Sequence, residues 1–202
     1  MRIAVDHVTR YRYDQPVRAV VQSHRLTPSG FDGQSVVDWQ GTVSDAGEGG
    51  GVRGGSGDRG VRGTVGTVDL TGVLRGHKEL VPPMAYRRDT APTRADAAIV
   101  ALARSVSAPD PLALAHALSE AVATAIAYRP GVTHAHTTAA EALALGEGVC
   151  QDHAHALIAC ARSRGMPGRY VSGYLQAVED GTAHEAAHAW AELWVEGLGW
   201  IG

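Results

Sequence analysis

The hydrophobic pattern of this sequence changes its period near residue 90. In residues 2–13, RIAVDHVTRYRY, one side of an alternation is mostly apolar or aromatic and the other mostly charged, which is typical of a half-buried β-strand. After residue 90, helix start signals and longer apolar periods replace the alternation. The sequence therefore predicts a β-rich region at residues 1–90 and a second region at 91–202 that begins with helices. Further β-like runs in the first region lie at 17–26, 35–43 and 64–74.

A glycine-rich tract interrupts the β-rich region. It reads DAGEGGGVRGGSGDRGVRG, residues 45–63, and offers almost no side chain to bury. Glycine-rich segments behave as flexible coils. We therefore expect a flexible connection between two strands at about residues 45–63.

Three helix starts after residue 90 carry capping signals. A side chain that accepts a hydrogen bond from the first turn, or a proline at the first helical position, is typical of a helix N-terminus. Glycine after a helix is a common stop signal. The three starts are Thr93 with Asp96, Asp110 with Pro111, and Thr138 with Glu141, the last with Gly146 as its stop.

A fourth helix is predicted to begin at Cys150. Apolar residues follow the cysteine at helical spacing, and Gly165 with Pro167 marks the end. A cysteine in the first turn lies at the positive end of the helix macrodipole, which favours the thiolate and hence a nucleophilic role. Cys160, in the middle of the same helix between two alanines, is expected to be structural.

The two cysteines are expected to be free thiols. On one helix their Cα atoms would lie about 15 Å apart, beyond the roughly 7 Å limit for a disulfide. Free thiols fit a reducing compartment, and the N-terminus MRIAVDHVTR does not resemble a signal peptide. No apolar run is long enough to cross a bilayer, and a net charge of −3 gives no general reason to bind nucleic acid or an anionic membrane. We expect a cytoplasmic protein without a nucleic-acid or membrane partner.

Residues 184–188, HEAAH, match the zinc-protease pattern H-E-x-x-H. That pattern needs a helix, since two histidines one turn apart must converge on one metal. From His188 onward, however, every second residue of HAWAELWV is apolar, at Ala189, Ala191, Leu193 and Val195, and this alternation favours a strand. Residues four apart in a strand are separated by roughly 13 Å, so His184 and His188 could not bind one zinc ion together. The preceding segment GRYVSGYL, residues 168–175, also alternates and reads as a strand.

Other histidine pairs are also not expected to bind metal. His153 and His155 lie two residues apart on the predicted helix and so point to different faces. His134 and His136 lie in a predicted loop. We expect solvated or second-shell histidines at these positions, and no cofactor or metal.

Two segments together resemble the bacterial transglutaminase-like proteins of the papain-like cysteine peptidase superfamily: GEGVCQDHAHALIACARSRGMPGRYVSGYL and HAWAELWVEGLGW. The N-terminal HVTRYRYDQPVRAVVQSHRLTP is similar to the β-rich region that precedes this core in many bacterial members. The resemblance implies an α+β fold, with Cys150 opening a helix packed on an antiparallel sheet and His188 beginning a neighbouring strand. It implies that Cys150 is the nucleophile and His188 the catalytic histidine, while His184 and Glu185 match no functional position.

The implied activity is acyl transfer on protein or peptide amides through a thioester. The thiolate attacks the carbonyl, the histidine protonates the leaving amine, and water or a second amine resolves the thioester. The Cys150 amide is the first candidate for an oxyanion donor, and the second donor stays open. Gln151, Tyr128 and Tyr174 are further pocket candidates. Two alternatives are a catalytically silent binding scaffold, with an unreactive Cys150, and a zinc peptidase that uses His184, Glu185 and His188.

The sequence departs from the family pattern at its end. In the family an orienting Asp follows shortly after the Trp-Gly-type ending of the histidine strand, whereas here the sequence reads GLGWIG up to Gly202. We expect the acid in an extension past Gly202, with low activity in its absence. The other possibilities are an acid from elsewhere in the chain and an inactive molecule.

Overall fold

The structure is a computed structural model that describes residues 1–12, 26–44, 56–76, 79–174 and 188–202. It divides into two compact units, Met1–Asp69 and Leu70–Gly202. None of the helices in these ranges is long and apolar enough to cross a membrane.

The first unit contains a three-stranded antiparallel sheet. The strands are β1 (Arg2–Arg12), β2 (Gln34–Ser44) and β3 (Ser56–Thr67), in the order β1-β3-β2. The strands predicted at 2–13 and 35–43 are confirmed. The run predicted at 17–26 lies outside the described residues except for its last residue, and the run at 64–74 leaves the strand conformation after Thr67.

The flexible loop predicted at 45–63 is wrong for residues 56–63, which form most of the central strand β3. Both edges of β3 pair with a neighbour, so long-range hydrogen bonds stabilise a segment that its composition alone would leave as coil. Its glycines also permit close packing. A Cβ at Gly60 would lie 2.6 Å from the Thr42 hydroxyl, and one at Gly63 would overlap Trp39. Residues 45–55 of the tract lie outside the described residues.

The second unit is built around one helix. This helix, α4 (Cys150–Ser163), packs against three other helices and a three-stranded antiparallel sheet. The other helices are α1 (Ala97–Ser105), α2 (Pro111–Ala125) and α3 (Ala139–Leu145), with two short 3-10 helices at Pro83–Arg87 and Ala91–Thr93. The strands are β4 (Ala127–Tyr128) and β5 (Glu147–Gly148), which pair in parallel, and β6 (Gly168–Gly173), β7 (His188–Val195) and β8 (Gly199–Ile201), in the order β6-β7-β8.

The core of the second unit lies between α4 and its neighbours. Ile99, Leu118, Ile126 and Ile158, from four different segments, are completely buried. Burial of side chains this large supplies most of the stabilisation of such a core. The predicted helix at Cys150 and the predicted strand from His188 are confirmed, and the strand predicted at 168–175 is confirmed over residues 168–173, with Leu175 outside the described residues.

Two of the three predicted capping signals are confirmed. The Asp110 carboxylate accepts a hydrogen bond from the Ala113 amide, and Thr138 forms a capping box with Glu141. Gly146 ends α3 in the left-handed conformation. The signal at Thr93 is wrong, because the cap of α1 is Asp96 itself. Thr93 is buried, and its hydroxyl accepts a hydrogen bond from the Arg162 guanidinium at 2.6 Å.

Residues 70–76 belong to the second unit. The Gly202 amide donates to the Gly72 carbonyl at 3.0 Å, and the Leu74 amide donates to the Trp200 carbonyl at 2.9 Å. The structure thus divides before the boundary at residue 90 that the sequence suggests. The position of a boundary between independently folding domains stays a prediction.

Candidate active site

Cys150 is the first residue of α4 and a half-buried free thiol. The first N–H groups of a helix have no acceptor within the helix, so the start of α4 offers donors and a positive dipole end beside the sulfur. The turn is fixed by Asp152, whose carboxylate accepts a hydrogen bond from the Val149 amide at 2.8 Å. The nucleophile predicted from the sequence therefore lies on a rigid helix start.

Asp152 is completely buried beneath this turn. The same carboxylate oxygen also accepts a hydrogen bond from the Thr133 hydroxyl at 2.6 Å, and its other oxygen has no hydrogen-bond partner among the described residues. A Cβ at Gly148 would lie 2.8 Å from the Asp152 side chain. Glycine at 148 thus makes room for the buried acid that holds the helix start.

Strand β6 runs back along α4 toward the cysteine. A turn at residues 164–167 reverses the chain after α4. Gly168, at the start of β6, lies against Ile158, and the Tyr170 ring centroid lies 5.1 Å from that of His155. Each step along the strand therefore matches a step toward the N-terminus of the helix.

His188 begins β7 at the same end of this layer. Gly173, the last residue of β6, is directly opposite His188 in the antiparallel pair. Since β6 runs toward the N-terminus of α4, its last residue and the first residue of β7 lie at the end of the helix that carries Cys150. The structure brings the backbones of the two predicted catalytic residues to one end of the helix–sheet layer, whereas the strand register turns the His188 side chain to the face of the sheet opposite to that of Tyr170.

The side chain of His188 shares a face of β7 with two further residues, Trp190 and Glu192. The His188 and Trp190 rings stack, with centroids 6.1 Å apart and 27° between their planes. The Trp190 indole N–H donates to the Glu192 carboxylate at 3.3 Å. Residues of the other parity, such as Leu193, pack into the core.

The three pocket candidates occupy different positions. Tyr128 in β4 is directly opposite Gly148 and is largely exposed. The side-chain amide of Gln151 donates to the backbone carbonyls of His134 and Ala135, each at 3.4 Å. Tyr174 follows β6, and burial raises the pKa of its hydroxyl. Their predicted roles in a pocket stay predictions.

Tyr170 is a residue that the sequence analysis missed. Burial raises the pKa of its hydroxyl, and the negative charges of Cys150 and Asp152 contribute to the rise. The phenol therefore lies within electrostatic reach of the thiol. The alternation of GRYVSGYL was an available signal, because Tyr170 is on the same side of that alternation as the pocket candidate Tyr174.

Cys160 is structural, as its position in the helix predicts. Its side chain is completely buried, and burial raises the pKa of its thiol to about 12. At pH 8 roughly one molecule in ten thousand would carry the thiolate. Alkylation or acylation of the folded chain at Cys160 should therefore be very slow.

The histidine pairs do not form a metal site among the described residues, where no three His, Cys, Asp or Glu side chains converge. His153 contacts the carbonyls of Val149 and Ile126 with its two ring nitrogens, at 2.9 and 2.8 Å. His188 lies in a strand, as predicted. His184 and Glu185, needed for the zinc pattern, lie outside the described residues.

His155 is buried rather than solvated, although it lies close to the site as a second-shell histidine would. Burial lowers the pKa of its ring, while a hydrogen bond to the Thr137 backbone and the charge of Asp152 oppose that shift. Its Nδ1 atom has no hydrogen-bond partner among the described residues. The folded chain thus favours a neutral His155.

This burial predicts that the chain loses stability as the pH falls below about 6.5. The unfolded chain protonates His155 first, since the folded pKa is lower, so acid favours unfolding until the folded pKa is passed. Chemical denaturation between pH 7.5 and pH 5 should show a flatter dependence in His155→Gln than in the wild type. The exposed His116 supplies a control, His116→Gln. An unchanged dependence in His155→Gln would contradict the prediction.

A sequence model of the transglutaminase-like superfamily matches residues 100–202, just over half of the chain. The chain belongs to the transglutaminase-like superfamily. A model of the bacterial transglutaminase-like N-terminal region also matches, at residues 3–51. Both parts of the resemblance seen in the sequence are confirmed.

Relatives of this transglutaminase-like chain occur in mycobacteria. An uncharacterized protein of Mycobacterium leprae is 45% identical over 74 residues, which are 35% of this chain and 26% of that protein. An uncharacterized protein of Mycobacterium tuberculosis is 40% identical over 82 residues, 38% of this chain and 26% of that protein. The chain spans about a quarter of the length of these curated relatives in the matches.

One solved structure shows the same fold. A candidate cysteine protease from Cytophaga hutchinsonii is similar with a TM-score of 0.65 at 18% identity, over 99% of this transglutaminase-like chain and 74% of that one. The α+β fold expected from the sequence, with helices and antiparallel sheets, is confirmed by this likeness.

Proposed function

We propose that this chain catalyses cysteine-dependent acyl transfer on protein or peptide amides, with Cys150 as nucleophile and His188 as general base and acid. The observation that carries the proposal is the antiparallel course of β6 along α4, which puts the start of α4 and the start of β7 at one end of the layer. Membership of the transglutaminase-like superfamily supports a cysteine-dependent activity in general.

In the proposed reaction His188 takes the proton of the Cys150 thiol, and the sulfur attacks the amide carbonyl carbon. The carbonyl oxygen of the tetrahedral intermediate gains the negative charge, and the Cys150 amide at the helix start is a donor suited to it. The C–N bond then breaks as His188 protonates the leaving amine, which leaves a thioester. Water or a second amine then attacks the thioester carbonyl and gives a proton to His188, the C–S bond breaks to release the acid or the new amide, and His188 returns the proton to the Cys150 sulfur.

The proposed substrates are proteins or peptides, in keeping with the superfamily. Glutamine side-chain amides are the natural donors for transfer to an amine, and hydrolysis uses water in the same second step. The cytoplasmic location suggested by the two free thiols stays a prediction.

The test is to trap the acyl-enzyme. Incubation with an activated acyl ester such as p-nitrophenyl acetate, followed by acid quenching and peptide mapping by mass spectrometry, should show an adduct on Cys150 and none on Cys160. Cys160→Ala is the matched control and should acylate normally, because Cys160 is buried away from the helix start. A glutamine peptide with and without an added primary amine then distinguishes transfer from hydrolysis. An unreactive Cys150 in the folded chain would replace the proposal by the binding-scaffold alternative.

A further inference from the structure

We propose that Trp190 is a positioning residue for His188 and that the buried pair of Glu192 and Arg169 holds Trp190 in place. The inference rests on the catalytic role proposed for His188. Residues two apart in a strand point to the same face and lie about 6.6 Å from one another. Trp190 therefore lies between its two neighbours on that face. Its ring stacks on His188, and its indole N–H donates to Glu192.

Glu192 is a fixed partner for the indole. Glu192 is 4% exposed, and its two carboxylate oxygens accept hydrogen bonds from different partners. One oxygen accepts the indole N–H, and the other accepts the Arg169 Nε–H at 2.7 Å from the adjacent strand. A charge-assisted hydrogen bond of this kind is strong and directional, so Glu192 presents one defined acceptor to Trp190.

Arg169 is itself held on several sides. A terminal nitrogen of its guanidinium lies 3.1 Å from the Glu79 carboxylate, and the group lies over the Trp200 ring, 4.1 Å from the centroid. The guanidinium is planar and presents its donors in a fixed arrangement. The orientation set by this cluster is thus passed through Glu192 to Trp190.

Two glycines, Gly173 and Gly202, lie close to the Trp190 indole. Gly173 is directly opposite His188, and a Cβ there would lie 2.9 Å from the six-membered ring of Trp190. A Cβ at Gly202 would lie 3.7 Å from the indole nitrogen. Glycine at 173 leaves room for the Trp190 ring beside His188, where the two rings are inclined by 27° with centroids 6.1 Å apart.

This arrangement matters for the proposed chemistry because proton transfer depends on the orientation of the imidazole. A displacement of about 1 Å can cost roughly 100-fold in rate. Trp190→Leu keeps an apolar side chain but removes the flat ring and the N–H donor. We expect kcat to fall by about 10- to 100-fold in this variant with little change in KM, and Trp190→Phe, which keeps a ring but loses the N–H donor to Glu192, to recover only part of the loss.

The decisive readout is the pH profile of Cys150 alkylation by iodoacetamide, measured on folded protein. In the wild type the rate at neutral pH should depend on His188, so His188→Ala moves the rise of the profile to higher pH. Trp190→Leu should move it part of the way in the same direction. The charged and titratable groups near the site on either side of the sheet are Glu192, Arg169, Glu79, Asp152, Tyr170, His153 and His155.

Trp194 supplies a matched control on the same strand and face. Its indole N–H also donates to a glutamate two residues on, Glu196, at 3.3 Å, but this hydrogen bond is exposed and Trp194 lies six residues along the strand from His188. Trp194→Leu should leave the alkylation profile unchanged even if it lowers stability. If Trp190→Leu does not fold, Glu192→Gln, which keeps the packing, should still shift the profile in the same direction.

The outcomes separate the two proposals. A wild-type profile in folded Trp190→Leu, beside a shifted one in His188→Ala, would overturn the positioning role alone. The same wild-type profile in Glu192→Gln would overturn it if the leucine variant is unfolded. A wild-type profile in His188→Ala would instead remove the catalytic role of the histidine, and the proposed function with it.

Discussion

Cys150→Ala is expected to lower acyl-transfer turnover by at least about 10⁴-fold, and His188→Ala by a comparable factor. In the proposed reaction the Cys150 thiolate forms the covalent intermediate, and no other described thiol can replace it, because Cys160 is completely buried with its pKa raised to about 12. Catalytic residues that act as a unit are not additive, and losing one can cost about as much as losing all. The measurement is the steady-state turnover of a glutamine peptide at fixed pH.

The double variant makes this prediction sharper. If Cys150 and His188 act in one step, the double alanine variant should be no slower than the slower single variant. A further loss of the same size would show that the two residues act independently. Cys160→Ala should keep nearly full turnover, and circular dichroism should show the native fold in the two single variants at Cys150 and His188 and in the double variant, since both side chains are only partly buried.

Arg169→Ala is expected to lower the free energy of unfolding by about 3–5 kcal/mol, the usual cost of removing one partner of a buried ion pair. The Arg169 side chain is 13% exposed, against 5% for Glu192 and 20% for Glu79. Burial alone would lower the pKa of the guanidinium, yet the two carboxylates raise it overall. The alanine variant removes the guanidinium from beside both carboxylates and uncovers one face of Trp200. Urea denaturation measures the change.

The control for Arg169 lies in the same unit. Arg129 pairs with Glu147 at 2.7 Å, but the two side chains are 63% and 33% exposed. Solvent screens such a pair, so Arg129→Ala should cost less than about 1 kcal/mol. Similar losses in the two variants would mean that burial does not decide the contribution of these pairs, contrary to the prediction.

Local signals in the sequence predicted the elements whose causes are local. The caps at Asp110 and Thr138 bond within their own first turn, so three or four residues contain all the information. Thr93 shows the limit of this reasoning. Its hydroxyl bonds to Arg162, which is distant in sequence and reaches it only after the helices have packed.

The prediction of a flexible loop for the glycine-rich tract was wrong for a related reason. Composition reports what a segment does alone, whereas β3 is stabilised by two neighbouring strands and needs glycine where they come close. No pattern within residues 56–63 reveals those neighbours. The sequence could indicate a strand there only through the strands that flank it.

In the candidate site, too, the sequence predicted some residues and missed others. Cys150 and His188 could be proposed from a helix start, a strand start and a family resemblance, and the structure places both elements as expected. The buried acid Asp152 and the pair of Glu192 and Arg169 were not found, because their importance depends on burial. A glutamate within a tryptophan-rich strand was an available hint, since a charge in such surroundings usually has a partner.

The contact between β8 and residues 72–74 has a consequence for association between molecules. A sheet edge with unpaired N–H and C=O groups is a template for another chain, and such edges promote aggregation. Here Gly72 and Leu74 bond to β8, and Val73 forms an isolated bridge with Ile201, so this edge of the sheet is covered by the chain's own backbone. A fragment of the second unit that began after residue 90 would expose this sheet edge to other chains, whereas one that begins at Leu70 would keep the edge paired.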